Sequence, residues 1–272
     1  MNAGQLAVMK KDIRGITSNK RVFTMLLVVP LVLSIVVPSI IIFTTAFAPD
    51  AASDFQVLLD MLPSADGGSV QQMIFALVLN NVMPAFFLMI PIMASSVMAA
   101  SSFVGEKEKH SLETLLYSPL SIKQLFQAKI LAGLAVGMMV SYVSFAAMLL
   151  VLEAEVLFLT GNMLLPSASW LIIMLLIAPA ISIAAIAVTV RSSAKAQTVE
   201  EAQQRAVFLI FPIIALVIGQ FTGIVLINSG LLWGLGIILA ALDALLMRGA
   251  AGSFTYEKLL ICLTKPVYVD KI

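Results

Sequence analysis

The sequence predicts an all-α polytopic membrane protein of six transmembrane helices with both termini in the cytoplasm. Three observations predict it. First, 61% of the 272 residues are apolar and only 11% are charged, with a mean hydropathy of +1.06. A soluble domain carries about 25% charged residues, so this chain has too few charges to cover a surface in water and its solvent must be lipid. Second, six continuous apolar stretches reach the roughly 20 residues that a helix needs to cross the hydrocarbon core. They lie at 22–48, 73–102, 127–152, 168–190, 207–228 and 231–247. None alternates as a lipid-facing strand would. Third, the charges segregate. All 16 Lys and Arg residues fall in four segments: the N-terminal stretch, 103–129, the stretch between spans four and five, and the C-terminal tail. The intervening segments hold Asp50, Asp54, Asp60, Asp66, Glu153 and Glu155 instead. Basic loops stay on the cytoplasmic side, and an odd number of crossings would break the alternation. We call the two faces the basic end and the acidic end.

The whole of 1–272 is expected to form one transmembrane domain. Residues 1–21 carry Lys10, Lys11, Arg14, Lys20 and Arg21 and are expected to form a basic cytoplasmic segment before the first span. The first span ends in Ala46-Phe47-Ala48, an A-x-A-like cleavage pattern. Its apolar run is far longer than a signal peptide's 7–15 residues, so it is expected to stay as a span. Prolines at 30, 38, 84, 91, 179 and 212 predict kinks. GxxxG spacings at Gly133/Gly137, Gly219/Gly223 and Gly230/Gly234 predict close helix contacts, within one chain or between two. The 248–272 tail is expected to be cytoplasmic.

Several chemistries are excluded. The net charge of +1 argues against nucleic acid as a partner. One cysteine, Cys262, permits no intrachain disulfide. No lysine follows a glycine, so there is no GxxxxGK[ST] loop and no nucleotide site of that kind. The single histidine, His110, sits among Glu106, Lys107 and Lys109, which suits a solvated face better than a metal centre. Glu200-Glu201-Ala202-Gln203-Gln204-Arg205 matches the E-E-x-x-x-R motif of prenyl-protease-like intramembrane proteases. Those enzymes need further histidines on other helices, and this chain has none to offer. Thr198 and Glu201 have capping-box spacing, which accounts for the same residues. The chain is expected to have no catalytic site and to bind no cofactor or metal itself.

The polar residues expected inside spans are Asn80, Asn81, Gln220, Asn228 and Asp243. Each either lines a pathway or bonds between helices. Asp243 lies near the basic end, five residues before Arg248. Ionic groups are otherwise scarce within the spans, which speaks against an ion-coupled carrier.

The segment 103–126 is the most informative. Span two is expected to run on through Glu106, Lys107 and Glu108. Leu112, Leu115 and Leu116 then recur at helical spacing, with Glu113 off that face. Pro119 ends this short amphipathic helix, and Ser121 with Gln124 forms a capping box that starts the next. At these residues the chain resembles the permeases of type-2 ABC exporters. Glu106, Lys107, Glu108, Ser111, Leu112, Glu113, Leu115, Leu116, Pro119, Leu120 and Ser121 occupy that family's pattern in register. The basic stretch before span one resembles the family's elbow helix. Glu201-Ala202-Gln203 resembles an E-A-Q element of its sodium-efflux-type branch, although His110 stands where a small residue is usual and the branch's large outer insertion is absent.

The resemblance implies a permease subunit of an ABC exporter. Its 103–126 segment would include a coupling helix docked on a separate cytoplasmic ATPase. ATP and Mg would bind that partner, and a second permease chain, identical or related, would complete the pathway. The alternative is a stand-alone secondary carrier or channel; a non-transport membrane anchor for an ATPase is a third reading. The expected place is a bacterial or archaeal cell membrane.

Overall fold

A computed structural model describes residues 2–47, 70–108, 120–193, 196, 198–221 and 229–253. Every regular element among them is helical. The amphipathic helix α1 spans Ala3–Ser18. Asn19 then ends it and starts α2, Lys20–Phe47: its N–H donates to Ile16 O while its own carbonyl accepts from Phe23 N. The second span, α3, is built end to end from Val70–Leu77, a π-helical Val78–Val82, Met83–Phe87 and Met89–Glu108. α4 is Ile122–Thr160. α5 joins Ser169–Ile172, a π-helical Ile173–Ile177 and Ala178–Ser193. α6 is Val199–Ala206, followed by a 3-10 turn at Val207–Leu209. α7 is Ile210–Phe221 and α8 is Ser229–Ser253.

Five of these helices are long and apolar enough to cross a membrane: Val22–Phe47, Gln71–Glu106, Lys123–Thr160, Ser169–Ser193 and Gly230–Met247. They match the first four expected spans and the sixth. The expected span at 207–228 is described only as the 3-10 turn Val207–Leu209 and α7, whose 12 residues reach roughly 18 Å. Residues 222–228 lie outside the described residues.

The helices overrun their apolar cores because local signals carry them on. α4 starts at the predicted capping box, where Gln124 N donates to Ser121 Oγ at 3.3 Å and Ser121 N donates to Gln124 Oε1 at 3.1 Å. It passes through Glu153 and Glu155 and stops only at Gly161, whose φ of 70° is the left-handed cap that glycine adopts without strain.

Two expected proline kinks take a specific form. Pro84 has no N–H for the Asn80 carbonyl, and Pro179 has none for that of Leu175. Each proline sits two residues past a π-helical segment. There the ladder slips by one residue: Met83 N reaches Val78 O, and Ala178 N reaches Ile173 O. The missing donor is thus absorbed as a π-bulge.

α3 and α5 are mostly buried, whereas α2, α4 and α8 expose most of their surface. The largest apolar cluster runs from Ile16 and Leu26 through Phe75, Val82 and Met98 to Ile177 and Ile213, with smaller ones around Phe103 and Ala202. α3 packs along α4 and α5, while α1 lies along the start of α4. Close approach rests on small residues. A Cβ on Gly137 would lie 2.0 Å from Ser95 Oγ, and one on Gly133 would lie 3.0 Å from Ile186 Cδ1. The first GxxxG pair therefore seats α4 within its own chain.

Candidate functional site

Four charged side chains meet at the basic end of the bundle. Along α1, Gln5, Val8, Asp12 and Ile16 form the buried face. Two of those four are polar, so this face seeks polar partners as well as a core. Gln5 Nε2 donates to Gln127 Oε1 at 3.3 Å. Asp12 lies two turns further on, with only 3% of its side chain exposed.

Lys129, on the first turns of α4, is the hub. Its side chain is also 3% exposed. Nζ donates to Glu106 Oε2 at 2.7 Å, Ser102 O at 2.6 Å and Ser102 Oγ at 3.1 Å, and lies 3.5 Å from Asp12 Oδ2. Ser102 Oγ in turn donates to Asp12 Oδ2 at 2.5 Å. The Phe103 ring lies 5.3 Å from the ammonium, within cation–π range. Lys11 completes the group from the rim, pairing with Glu106 and standing 3.2 Å from Asp12 Oδ1.

Two ammonium groups thus face two carboxylates, each held by several hydrogen bonds, as buried charge requires. Burial alone would lower the Lys11 pKa. The hydrogen bond to Glu106 and the charges of Asp12 and Glu106 outweigh it, so the net shift is upward from 10.5. A raised folded-state value means that this contribution is complete at neutral pH and is lost only as pH rises through the alkaline lysine range.

The geometry clamps both stems of the 103–126 segment. Glu106 lies at the end of α3 and Lys129 near the start of α4, and their direct bond holds the two stems together beneath α1. Glu106 therefore turns inward, 8% exposed. Lys107 and Glu108 lie on the last turn of α3. Ser111, Leu112, Glu113, Leu115, Leu116 and Pro119, with the expected short helix, lie outside the described residues.

The second expected element is described. Glu201 N donates to Thr198 Oγ1 at 3.2 Å, so the threonine caps α6 as its spacing predicts. Ala202 is fully buried against Ala100, Val104 and Ala196, and Glu201 and Gln203 are half-buried. The small Ala202 lets α6 sit directly on the basic end of α3.

The expected pathway residues separate. Asn80 lies in the π-bulge of α3, where its Oδ1 accepts from Ser167 N at 2.8 Å. The adjacent Leu79 carbonyl accepts from Trp170 Nε1 at 3.2 Å. Asn80 therefore tethers the 161–168 connection to α3 at the acidic end, with Glu153 Oε2 accepting from Leu164 N at 3.1 Å beside it. Replacing Asn80 with alanine leaves the Ser167 N–H without that acceptor and should cost about 1–3 kcal/mol. Hydrogen exchange at residues 161–168 checks this: faster exchange is expected, and an unchanged rate would remove the tether. Asn81 is half-buried. Asp243, on α8, is 7% exposed, and its Oδ1 has no hydrogen-bond partner among the described residues. The Gln220 side chain and Asn228 lie outside the described residues. Among the described residues, Asn80 and Asp243 lie on different helices, α3 and α8.

Asp12, Lys11, Lys129 and Ser102 were not among the expected site residues. The scarcity of ionic groups within the spans holds for their middles. It fails at the basic end, where Lys129 and Glu106 lie inside the apolar helices. The signal that would have found them is the polar Asp12 on the buried face of an amphipathic helix.

A family model described as ABC-2 family transporter protein matches residues 6–228. No curated protein and no solved structure matches.

Proposed function

We propose how this chain works from the premise that it belongs to the ABC-2 transporter family, whose membrane proteins are multi-pass permease components of ABC transporters. In this reading the chain is the permease of an exporter with six crossings, the fifth formed around α7. Both termini are cytoplasmic, and a separate cytoplasmic ATPase supplies the energy. Two permease chains flank the pathway. The substrate stays open, and the chain itself breaks no bond.

The observation that carries this reading is the clamp among Glu106, Lys129, Asp12 and Lys11. A loop that receives a push from another subunit moves the membrane only if its stems are stiffly joined to the spans. Here the stems of 103–126 are tied to each other and to α1 through buried, charge-assisted bonds. Displacement of the loop would then move α1, α3 and α4 as one body. Glu113 and Leu116 are the residues we assign to the ATPase contact. Ala202 supports a second contact by holding α6 against the same end of α3.

Gentle purification from the native membrane tests the scheme. A partner carrying a nucleotide-binding GxxxxGK[ST] motif is expected to co-purify. Glu113→Arg combined with Leu116→Asp should abolish its association and ATP-driven transport while leaving the permease folded. If the double variant keeps both, the coupling role of 103–126 is wrong. If the chain purifies alone and functions in liposomes without ATP, the carrier reading replaces it.

A further inference from the structure

We infer that the slot between α2 and α3 holds an acyl chain of a bilayer lipid, recognised by its hydrocarbon alone and not by its headgroup. α2 packs mainly along α4 and more loosely against α3. The gap left against α3 is a cavity of about 130 Å³. Leu33, Ser34 and Val37 of α2 line one side, residues 83–93 of α3 supply most of the rest, and the buried Met148 of α4 completes it.

The lining excludes a polar ligand. Ser34 is its one polar residue, and that hydroxyl already donates to Leu31 O of its own helix at 3.1 Å. No charge, free donor or free acceptor among the lining side chains could hold a headgroup, an amine or an ion. An apolar cavity of about 150 Å³ stays dry and takes up hydrocarbon instead.

Position and shape name the occupant. Ser34 stands midway along α2, Lys20–Phe47, and residues 83–93 lie well inside the span Gln71–Glu106. The cavity is therefore at the depth of the lipid tails. It is open to them from the side, since Leu33 is 44% exposed and Val37, Phe86, Met89 and Met93 are half-buried. The stretch 83–93 is about three turns of helix, roughly 15 Å. A slot of that length beside a span fits a chain lying along the spans better than a compact ring. Four of the lining residues are methionines, at 83, 89, 93 and 148. Such unbranched, flexible side chains adapt to an occupant of variable length and bend.

The fold supplies its own reporter. Of the two tryptophans in the chain, Trp170 is 3% exposed, and the ring of Phe87, which lines the slot, meets it edge-on at 5.5 Å. A heavy atom inside the slot comes close to this indole, whereas one in the surrounding bilayer is kept away by its burial. Trp233 is 55% exposed and is replaced by phenylalanine to leave Trp170 alone.

The site rests on the membrane reading alone, so its test needs no ATPase. The full-length Trp233→Phe chain is reconstituted into phosphatidylcholine vesicles with or without bromine at the middle of the acyl chains, and Trp170 emission is measured. Brominated chains are expected to quench it. Phosphatidylglycerol carrying the same chains should quench equally. Ser34→Leu, which fills the slot, should restore the emission seen without bromine, and Ser34→Ala should leave the quenching in place. If Ser34→Leu does not elute as the parent, Ser34→Val is read instead, with reduced quenching expected. Unquenched Trp170 in the parent means that protein and not lipid covers the slot, and overturns the assignment. So does a folded Ser34→Leu or Ser34→Val protein quenched like the parent, or a quenching that depends on the headgroup. None of these outcomes bears on whether an ATPase docks at 103–126.

Discussion

Lys129→Met unfolds the protein more readily than any other single change to the charge cluster. Methionine is unbranched like lysine and one atom shorter, ending where the lysine Cε lies, so the packing of the apolar stem is nearly preserved and the effect isolates the ammonium. Its loss leaves Asp12 and Glu106 buried, 3% and 10% exposed at the side chain, with only the half-exposed Lys11 to share. Breaking a buried ion pair from one side costs about 3–5 kcal/mol, because the remaining charge has no water to return to. Ser102 also loses the donor to its carbonyl. Lys11→Met should cost far less, about 1 kcal/mol or below, since that ammonium is half in solvent. Thermal unfolding in detergent, followed by tryptophan fluorescence, reads the order. If the Lys129 variant melts with the parent, or the Lys11 variant melts lower, the hub assignment fails.

A triple variant separates stability from coupling. Lys129→Met with Asp12→Asn and Glu106→Gln removes the stranded charges, and replacing a whole buried ion network by neutral groups is often harmless to stability. Much of the lost stability should return. ATP-driven transport should not, because the stiff bond between the two stems is gone. Recovery of both would make the cluster a folding device with no part in transmission.

The spans were legible because hydrocarbon imposes a length and a composition that few soluble helices meet. Their ends were less so. Glu153 and Glu155 interrupt the hydropathy of α4, yet the helix continues to Gly161 because only there does the backbone turn left-handed. The π-bulges carry no hydropathic mark, although Pro84 and Pro179 pointed to both places. The ion cluster was hidden for another reason. Asp12 and Lys129 are 117 residues apart, and each alone reads as one more charge at a membrane border. Only the packing of α1 against α4 brings them together. Glu106 was singled out through the family pattern around it, but facing a partner subunit. Its buried bond to Lys129, on another helix, had no mark in that pattern.

The close approach of α4 to α3 at Gly137 should respond to a single methyl group. A Cβ added to Gly137 would stand 2.0 Å from Ser95 Oγ, 3.2 Å from Ser95 Cβ and 3.5 Å from Ser95 Cα. The first distance is impossible, and the other two leave room for a methyl group only if the hydroxyl is gone. Gly137→Ala should therefore push α3 and α4 apart and cost about 1–3 kcal/mol, the range for overpacking a dense core. Ser95 Oγ is buried and makes no hydrogen bond among the described residues, so Ser95→Ala alone should be nearly neutral or slightly stabilising. Combined with Gly137→Ala it removes the clash, and the double variant should recover most of the loss. That coupling, read from unfolding midpoints as a double-mutant cycle, is specific to contact between these two atoms. Additive losses would mean that the helices do not meet at this point. Gly137→Leu gives the limiting case: the Ser95 backbone blocks any side chain beyond a methyl, so Ser95→Ala should not rescue it, and α3 and α4 should fail to pair.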